Sequence, residues 1–443
     1  MNFQYDYEAI TREFGVIFEP SNKVSQFGGV APFIAFLEKG KFKERLTREF
    51  GLEKARTILQ FCLGIVLGAE DMKDVSEAGA DPIIRKYVGI PIGQAQLGRD
   101  FRSFSKVQLE KFHDFVMSLP LLMLAREIPQ TEKLIFDVDA TAVEKYGNQE
   151  GVEAGYVERD QIKSCYQYLL FRLHNLSCFL YGTIRAGAAH SQNGFTDYLN
   201  RFLPLFKDKW QTVWRADSGY FNERAIDTFS ENDATFFIKA PMSPSRLSMA
   251  ITSPEVRWIA DSKNDSCEYA SLTTVTEKGT KWREIYKRTR ADDRQLHLGE
   301  TSSYHYDCLA TNDFVKDEPQ AFKFYNGRAH IENNIRELKY DYHLGDIVTD
   351  NFDANDAITQ ATLFSYLMIT HFKSQALPPD MQKHQLSTIR SRVFHMPGRF
   401  MSMARKLYMK IHNVFLDKSV YARMFYRIKH SRSWVLAPPQ VAF

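Results

Sequence analysis

The segment that decides the fold is Leu134–Ala140, which reads LIFDVDA. Apolar residues surround two acids, Asp137 and Asp139, that stand at period two. The pattern therefore predicts a buried strand with both carboxylates on one side. A charged side chain on a buried strand needs a partner of opposite charge or a metal ion.

The residues after this strand continue an α/β alternation. Helices are predicted near Asn193–Leu205 and from about Asn222. Strands are predicted at Cys165–Phe171, Cys178–Ile184, Thr212–Asp217 and Ala234–Lys239. The third of these strands ends in Asp217, which Ser-Gly follows. Acids at strand ends that lead into glycine turns commonly lie at the rim of an α/β sheet, where ligands bind.

A third acid lies on a predicted helix. Residues 325–339 read YNGRAHIENNIRELK. On one continuous helix Tyr325, Arg328, Glu332 and Lys339 fall within an arc of about 60°. One face then offers an acid among groups that bind phosphate. The alternative is a solvated helix with an Arg328–Glu332 ion pair four residues apart.

These three acids suit one chemistry. Phosphodiester cleavage by paired divalent ions needs about three carboxylates that converge from different elements. Asp139, Asp217 and Glu332 are three such carboxylates, on two predicted strands and one predicted helix. Oxygen ligands without a Cys or His cluster favour two ions of Mg²⁺ or Mn²⁺ over zinc.

Length and composition place the chain in a broad class. With 443 residues it is long enough for about three domains. Hydrophobic residues at 44% and charged residues at 25% are typical of a globular protein. Phe61–Ala69 is too short to span a bilayer and no signal pattern begins the chain, so no membrane association and a cytoplasmic location are expected. Five cysteines without a Cys-x-x-Cys pair argue against a zinc site and a disulfide framework.

Positive charge is concentrated near the C-terminus. Residues 381–432 contain twelve Lys or Arg and one acid, Asp417. The basic residues alternate with apolar ones, which we interpret as amphipathic helices with a basic exterior suited to a polyanion. A basic face that only maintains solubility is the alternative. The candidate DNA contacts in this region are Arg390, Arg392, Arg399, Arg405 and Lys406.

The N-terminal residues have mainly helical periodicity. Asp81-Pro82 predicts a helix start, and a helix from Pro82 to Val88 followed by one from about Pro91 to Phe104 resembles a helix-turn-helix. The second helix would present Arg99 and Arg102 to DNA. An ordinary helical hairpin is the alternative.

The three acidic motifs together resemble the bacterial insertion-sequence transposases of the DDE type, which have an RNase H-like core. Tyr325, Arg328, Glu332 and Lys339 match the Tyr-x2-Arg-x3-Glu-x6-Lys signature of one branch. Residues 137–141 with 146–151, and residues 215–220, resemble the blocks of the first and second aspartates. Tyr146 departs from the His that is usual in the subgroup.

The resemblance implies how the chain is organised. It implies an α/β RNase H-like catalytic core with a β-rich insertion, flanked by a helical N-terminal domain and a basic helical C-terminal region. The expected boundaries are 1–128 for the N-terminal DNA-binding domain, 129–240 and 321–375 for the two parts of the core, 241–320 for the insertion and 376–443 for the C-terminal region. Strands in the insertion are predicted at Val256–Ile259, Glu268–Val275, Trp282–Thr289 and Tyr304–Thr311.

The resemblance also assigns roles. Asp139, Asp217 and Glu332 would bind the metals, with Asp137 as the competing first ligand. Tyr325, Arg328 and Lys339 would bind phosphates next to the cut. An aromatic residue of the insertion would stack on a flipped base, unless it belongs to the core. The candidates for that role are Trp282, Tyr304 and Tyr306.

The implied function is cut-and-paste DNA transposition. The protein would bind terminal inverted repeats, cleave the strands, and join the 3′-ends to target DNA as a homodimer in the synaptic complex. Two alternatives are a catalytically inactive, transposase-derived DNA-binding protein and an RNase H-like nuclease without strand transfer.

Overall fold

The computed structural model describes residues 21–158, 161–290, 304–403, 406–411 and 418–431. The strands in chain order are β1 (Val24–Ser25), β2 (Leu134–Glu144), β3 (Glu153–Glu158), β4 (Gln161–Leu173), β5 (Cys178–Ala186), β6 (Thr212–Ala216), β7 (Thr235–Ala240), β8 (Ile259–Asp261), β9 (Asn264–Val275), β10 (Lys281–Arg290), β11 (Tyr304–Thr311), β12 (Gly398–Met403) and β13 (Lys406–Ile411).

The helices are α1 (Ala31–Lys39), α2 (Phe42–Phe50), α3 (Leu52–Leu67), α4 (Met72–Ala80), α5 (Pro82–Val88), α6 (Gln94–Arg102), α7 (Lys106–Glu127), α8 (Phe195–Phe206), α9 (Glu223–Glu231), α10 (Pro244–Thr252), α11 (Glu318–Asn326), α12 (His330–Tyr340), α13 (Phe352–Gln375), α14 (Leu386–Ile389) and α15 (Lys418–His430). None of these described helices is long and apolar enough to cross a membrane.

The described chain forms two compact units. One contains the residues up to Gln94 together with those from Phe372 onward, and the other is Ala95–His371. The unit boundary falls between α5 and most of α6, the two helices of the predicted helix-turn-helix. Asp81 caps α5 as predicted, because its side chain accepts a hydrogen bond from the amide of Ile83.

The second unit is built on a ten-stranded mixed sheet. Its order is β3-β4-β2-β6-β7-β11-β10-β9-β8, and β5 pairs with the same edge of β4 as β3. The pairs β2–β6 and β6–β7 are parallel, and the other pairs are antiparallel. Helix α9 connects the parallel strands β6 and β7, as a parallel crossover requires. The predicted mixed α/β class is confirmed.

Alternation along β2 separates two kinds of side chain. Phe136 stacks on its cross-strand neighbour Trp214, with ring centroids 4.4 Å apart, and also packs on Phe206 of α8. Asp137 points to the opposite face, as period two demands. One face of the sheet thus holds an aromatic core and the other holds the charged groups.

The strands predicted for the insertion extend the same sheet. Strand β11 pairs with β7 and continues through β10 and β9. The first of them was predicted at Val256–Ile259 and lies instead at Ile259–Asp261. Residues 291–303 lie outside the described part of the chain.

The predicted single helix from Tyr325 to Lys339 is wrong at one turn. Helix α11 ends at Asn326, a 3-10 turn covers Gly327–Ala329, and α12 begins at His330. A β-carbon on Gly327 would lie 2.5 Å from Nη1 of Arg215. Glycine therefore lets the turn pack directly on that guanidinium.

The C-terminal region is not wholly helical, which corrects the prediction for 376–443. Strands β12 and β13 form an antiparallel hairpin, and β1 adds to it to complete a three-stranded sheet. In β13, Lys406, Tyr408 and Lys410 alternate with Leu407, Met409 and Ile411, a pattern typical of a strand with one buried face. Only α14 and α15, with the turn of π-helix at Arg390–Phe394, are helical among the described residues after α13.

Candidate active site

A buried row of charges crosses the sheet beside the candidate site. Asp137 is fully buried and lies between its register partners Arg172 of β4 and Arg215 of β6. Arg172 Nη1 lies 3.0 Å from one carboxylate oxygen, and Arg215 Nε lies 2.6 Å from the other. Arg215 Nη2 also donates a hydrogen bond to Asp137, at 3.1 Å.

The two arginines keep Asp137 ionised. Burial raises the pKa of Asp137, but hydrogen bonds from His174 and Arg215 and the charges of Arg215 and Arg172 outweigh burial, so the pKa lies below its usual range. Both carboxylate oxygens are engaged. Asp137 is therefore satisfied by arginine, which weakens its candidacy as a metal ligand.

The same arginines fix the helices above the sheet. Arg215 Nη1 donates to the carbonyl of Phe324 in α11, at 2.8 Å. Arg172 Nε donates to Oδ1 of Asn334 in α12, at 2.6 Å, and the Asn334 amide donates to the hydroxyl of Tyr366 at 2.8 Å. The buried row thus positions the two helices that flank the 3-10 turn.

Asp139 and Asp217 are neighbours because β2 and β6 run in parallel. Val138 pairs with Ala216, so the next residue of each chain segment is an aspartate. Oδ1 of Asp139 accepts a hydrogen bond from the amide of Ala140, and Oδ1 of Asp217 accepts one from the amide of Gly219, both at 2.9 Å.

Asp139 is held in an environment unfavourable to its charge. Its side chain is 14% exposed. Burial raises its pKa, the Arg328 charge opposes the rise and the nearby Asp217 charge adds to it, so that the pKa reaches about 6. An acid whose pKa is raised by burial and by a neighbouring carboxylate is a frequent mark of a functional site.

Arg328 lies between Asp139 and Glu332. Its Nη1 is 3.0 Å from Asp139 Oδ2, and its Nη2 is 4.0 Å from Glu332 Oε1. The Glu332 side chain is 62% exposed, so it remains open to solvent. Burial lowers the pKa of Arg328, but the charges of Asp139, Tyr325 and Asp217 and the hydrogen bond to Asp139 together outweigh burial and raise it.

A pocket of about 320 Å³ lies beside Asp139 and Glu332. Its lining includes Asp139, Glu332 and Lys339 together with Arg336 and Tyr340, which the sequence prediction did not select. Spacing offered a signal for Arg336, since it stands four residues after Glu332 on the same helix face.

The donor set fits a hard divalent cation, although the described residues contain no group of three His, Cys, Asp or Glu that is arranged to hold a metal. Asp139 now has the Arg328 guanidinium as its counter-charge. A cation bound there would take the place of the guanidinium on Asp139, while the exposed Glu332 would be free to turn towards it. Carboxylate oxygens are the ligands that Mg²⁺ and Mn²⁺ prefer.

Lys339 lines this pocket, and the Tyr325 hydroxyl forms a hydrogen bond with Arg328. Tyr325 packs against a buried apolar cluster, and burial raises the pKa of its hydroxyl. Lys339 Nζ donates a hydrogen bond to the carbonyl of Ala142, at 2.7 Å, and burial lowers its pKa. The structure thus brings the four residues of the signature to the same end of β2.

Comparison with known proteins decides the family. The family described as transposase DDE domain group 1 matches residues 42–433. The chain belongs to this family of DDE transposases. A solved structure of the piggyBac transposase synaptic complex with hairpin DNA is similar at a TM-score of 0.41 and 10% identity, over 77% of this chain and 70% of that one. No curated protein sequence matches.

Membership sets the broad activity of the protein. A DDE transposase is a polynucleotidyl transferase and endonuclease that acts on DNA, and the family generally uses divalent metal ions. The predicted family is confirmed.

The other residues predicted to contact DNA differ in how accessible they are in this transposase. Arg390 is buried and donates to the carbonyls of Ile65 and Val66, so it serves the fold of its own unit. Arg392 and Arg399 are exposed. Arg405 and the side chain of Lys406 lie outside the described residues.

The two arginines of α6 have local partners. Arg99 donates to Oε1 of Gln96, at 2.8 Å. Arg102 forms an ion pair with Asp350, at 2.6 Å. The Arg102 side chain remains 44% exposed, and an exposed ion pair of this kind is easily exchanged for a phosphate contact.

The three aromatic residues predicted to stack on a base also differ in their exposure. Trp282 is 2% exposed and packs on Phe221, so it is a core residue and not a stacking surface. Tyr304 and Tyr306 are partly exposed. They cluster with Trp258, and the Arg288 guanidinium lies 4.4 Å from the Trp258 ring centre and 4.6 Å from that of Tyr304. The sequence prediction did not select Trp258, although it lies in the strand predicted at Val256–Ile259; in the structure it directly precedes β8.

Removing the charge of Asp139 and removing that of Asp137 should change the free energy of unfolding in opposite directions. Asp139→Asn should raise the free energy of unfolding at pH 7.5 without metal by about 1–3 kcal/mol, because its raised pKa means that ionisation costs folding energy above pH 4. Asp137→Asn should lower it by about 3–5 kcal/mol, since two buried arginines would lose their counter-charge.

The measurement is urea unfolding followed by circular dichroism. The Asp137 contribution is present above the unfolded pKa and is lost as pH falls through the lowered folded pKa, so the deficit of Asp137→Asn should shrink in acid. Two changes of the same sign at pH 7.5 would contradict the division of roles between these aspartates.

Proposed function

We propose that this transposase performs cut-and-paste transposition with Asp139, Asp217 and Glu332 as its metal ligands. The observation that carries the proposal is the parallel pairing of β2 and β6, which sets Asp139 beside Asp217. Asp139 also lines a pocket together with Glu332. Two Mg²⁺ or Mn²⁺ ions, when bound, supply activation of the attacking water or 3′-hydroxyl and stabilisation of the leaving oxygen.

The protein's own residues prepare the site for phosphate. Arg328 forms the ion pair that compensates the charge of Asp139. If Asp139 held a cation, the Arg328 guanidinium would be available to donate to the phosphate at the cut. Lys339 lines the same pocket, and Tyr325 forms a hydrogen bond with Arg328. Asp137, Arg172 and Asn334 hold α12 at a fixed distance from β2, and so orient Glu332.

The core is proposed to be RNase H-like. The strand order β5-β4-β2-β6-β7, with three antiparallel strands followed by two parallel ones, supports this assignment. The carboxylates then lie where the antiparallel part meets the parallel part of the sheet.

The proposed partners are duplex DNA with terminal inverted repeats, target DNA and a second copy of the chain. Exposed basic residues on the hairpin of β12 and β13 and on α15 support a DNA surface. The described and exposed members of that surface are Arg399, Lys410, Lys418, Arg423 and Lys429. Tyr304 and Tyr306, with Trp258, are proposed to stack on an unpaired base.

Removal of any one metal ligand should abolish cleavage and spare binding. The variants are Asp139→Ala, Asp217→Ala and Glu332→Ala, with Glu223→Ala as an exposed acidic control from α9. The assay uses Mg²⁺ and labelled DNA carrying the inverted repeats that flank the coding sequence. A variant that still cuts would remove that residue from the catalytic set.

The same assay separates the alternatives through the behaviour of the unaltered protein. Binding without cutting would identify an inactive DNA-binding protein derived from a transposase. Cutting without joining would identify a nuclease that lacks strand transfer. Cutting followed by joining to target DNA is the outcome that the proposal requires.

Replacement of Arg328 should weaken binding of cut-site DNA. Arg328→Ala loses a charge-assisted phosphate contact of about 1–3 kcal/mol, and Arg328→Lys should keep part of it as a point charge. Fluorescence anisotropy with Ca²⁺ in place of Mg²⁺ measures the affinity without turnover. Equal affinity of all three proteins would place Arg328 away from the DNA.

A further inference from the structure

The loop between α12 and α13 packs on the end of β2. Its backbone enters the left-handed region twice, with a φ of +52° at His343 and +85° at Gly345. A β-carbon on Gly345 would lie 2.8 Å from the hydroxyl of Tyr168 and 3.1 Å from Cγ1 of Val143 in β2. Glycine therefore lets the loop pack directly against the strand that carries Asp139.

Two lysines lie at this junction. Lys145 directly follows the last residue of β2 and is 9% exposed. Lys339 lies in the last turn of α12, and its Nζ is held by the carbonyl of Ala142 in β2, at 2.7 Å. Burial lowers the pKa of both lysines. Each ammonium thus lies where its charge is disfavoured, and a pair of such cations needs a counter-charge.

Asp346 in the loop supplies that counter-charge. It follows Gly345, the residue that contacts β2. The charge of Asp346 opposes the effect of burial on the pKa of both Lys145 and Lys339. Its Oδ2 lies 3.2 Å from Nδ1 of His343, which orients the carboxylate. The Asp346 side chain is 50% exposed, so solvent moderates its effect on the lysines without removing it.

Two other acids of β2 already have partners. Glu144 precedes Lys145 in the chain but pairs with Lys163 of β4, at 2.8 Å. Asp139 pairs with Arg328, at 3.0 Å. The further charged residues that line the pocket beside Lys339 have opposite signs, and they are Glu332 and Arg336. Asp346 is therefore the acid best placed to balance the two lysines.

We propose that Asp346 is a positioning residue for Lys339: it balances the charges of Lys339 and Lys145, and so keeps Lys339 positively charged and in place beside the cut. The inference deepens the proposed function and rests on it, because Lys339 is there assigned to the phosphate. An ammonium attracts a phosphate far more strongly than a neutral amine does. Asp346 acts only through the lysine, since a carboxylate and a phosphate repel each other.

Competitive labelling tests the charge balance in the protein without DNA. Trace acetic anhydride acetylates only neutral amines, and mass spectrometry of the peptides with Lys145 and Lys339 gives the pH at which each is half protonated. Asp346→Asn should lower both midpoints by about 0.5–1 pH unit, because a nearby negative charge is lost. Asp346→Glu should largely restore them. Asp208→Asn, at an exposed acid after α8, should leave them unchanged.

Binding of cut-site DNA should follow the same shift. Fluorescence anisotropy with Ca²⁺ measures the affinity from about pH 7 to 10, the range in which a lysine of lowered pKa loses its proton. Asp346→Asn should lose affinity at a lower pH than the unaltered protein does. Lys339→Arg added to Asp346→Asn should remove this shift, since a guanidinium stays charged over the whole range. A merely misfolded loop would not be repaired by that second substitution.

The outcomes separate this inference from the function on which it rests. Equal lysine midpoints in Asp346→Asn and in the unaltered protein would overturn the role of Asp346, whatever the protein does to DNA. If the midpoints move but the pH dependence of DNA binding does not, the phosphate role of Lys339 fails together with the inference. The metal-ligand variants test cleavage independently of both results.

Discussion

The arrangement depends on one buried acid held between two arginines. Asp137 lies between Arg172 and Arg215 in register across three strands, and these arginines also bind α12 through Asn334 and α11 through the Phe324 carbonyl. A charge buried this deeply is tolerated only because every partner is in place. The row therefore fixes where the Glu332 helix stands above the sheet.

Asp139, two residues further along β2, lies in an environment that disfavours its charge, whereas the environment of Asp137 favours its charge. Asp139 shares the face of Asp137, yet it has one guanidinium partner, a neighbouring carboxylate and a pKa raised to about 6. The structure stabilises the charge of Asp137 and leaves that of Asp139 under-compensated. Such an acid gains most from a cation, so the folding cost at Asp139 is consistent with a site kept for metal and phosphate.

Much of this was predictable from local pattern. Period-two acids in LIFDVDA, the acid at the end of Thr212–Asp217 and the glycine turn after it gave the strands and the two aspartates. Non-local register was not predictable: nothing in the sequence says that Arg172 and Arg215 flank Asp137, and therefore that Asp137 is the satisfied acid. Likewise the break at Gly327 depends on the packing of Arg215, and the β12–β13 hairpin was mistaken for helix because short basic-apolar runs fit either period.

The most direct test is anomalous diffraction from crystals of the transposase with terminal-repeat DNA and Mn²⁺. We predict two manganese peaks about 3.5–4 Å apart, bound by oxygens of Asp139, Asp217 and Glu332, with Arg328 moved from Asp139 to phosphate. Manganese bound elsewhere, or Asp139 still paired with Arg328 in a complex whose DNA occupies the pocket, would contradict it.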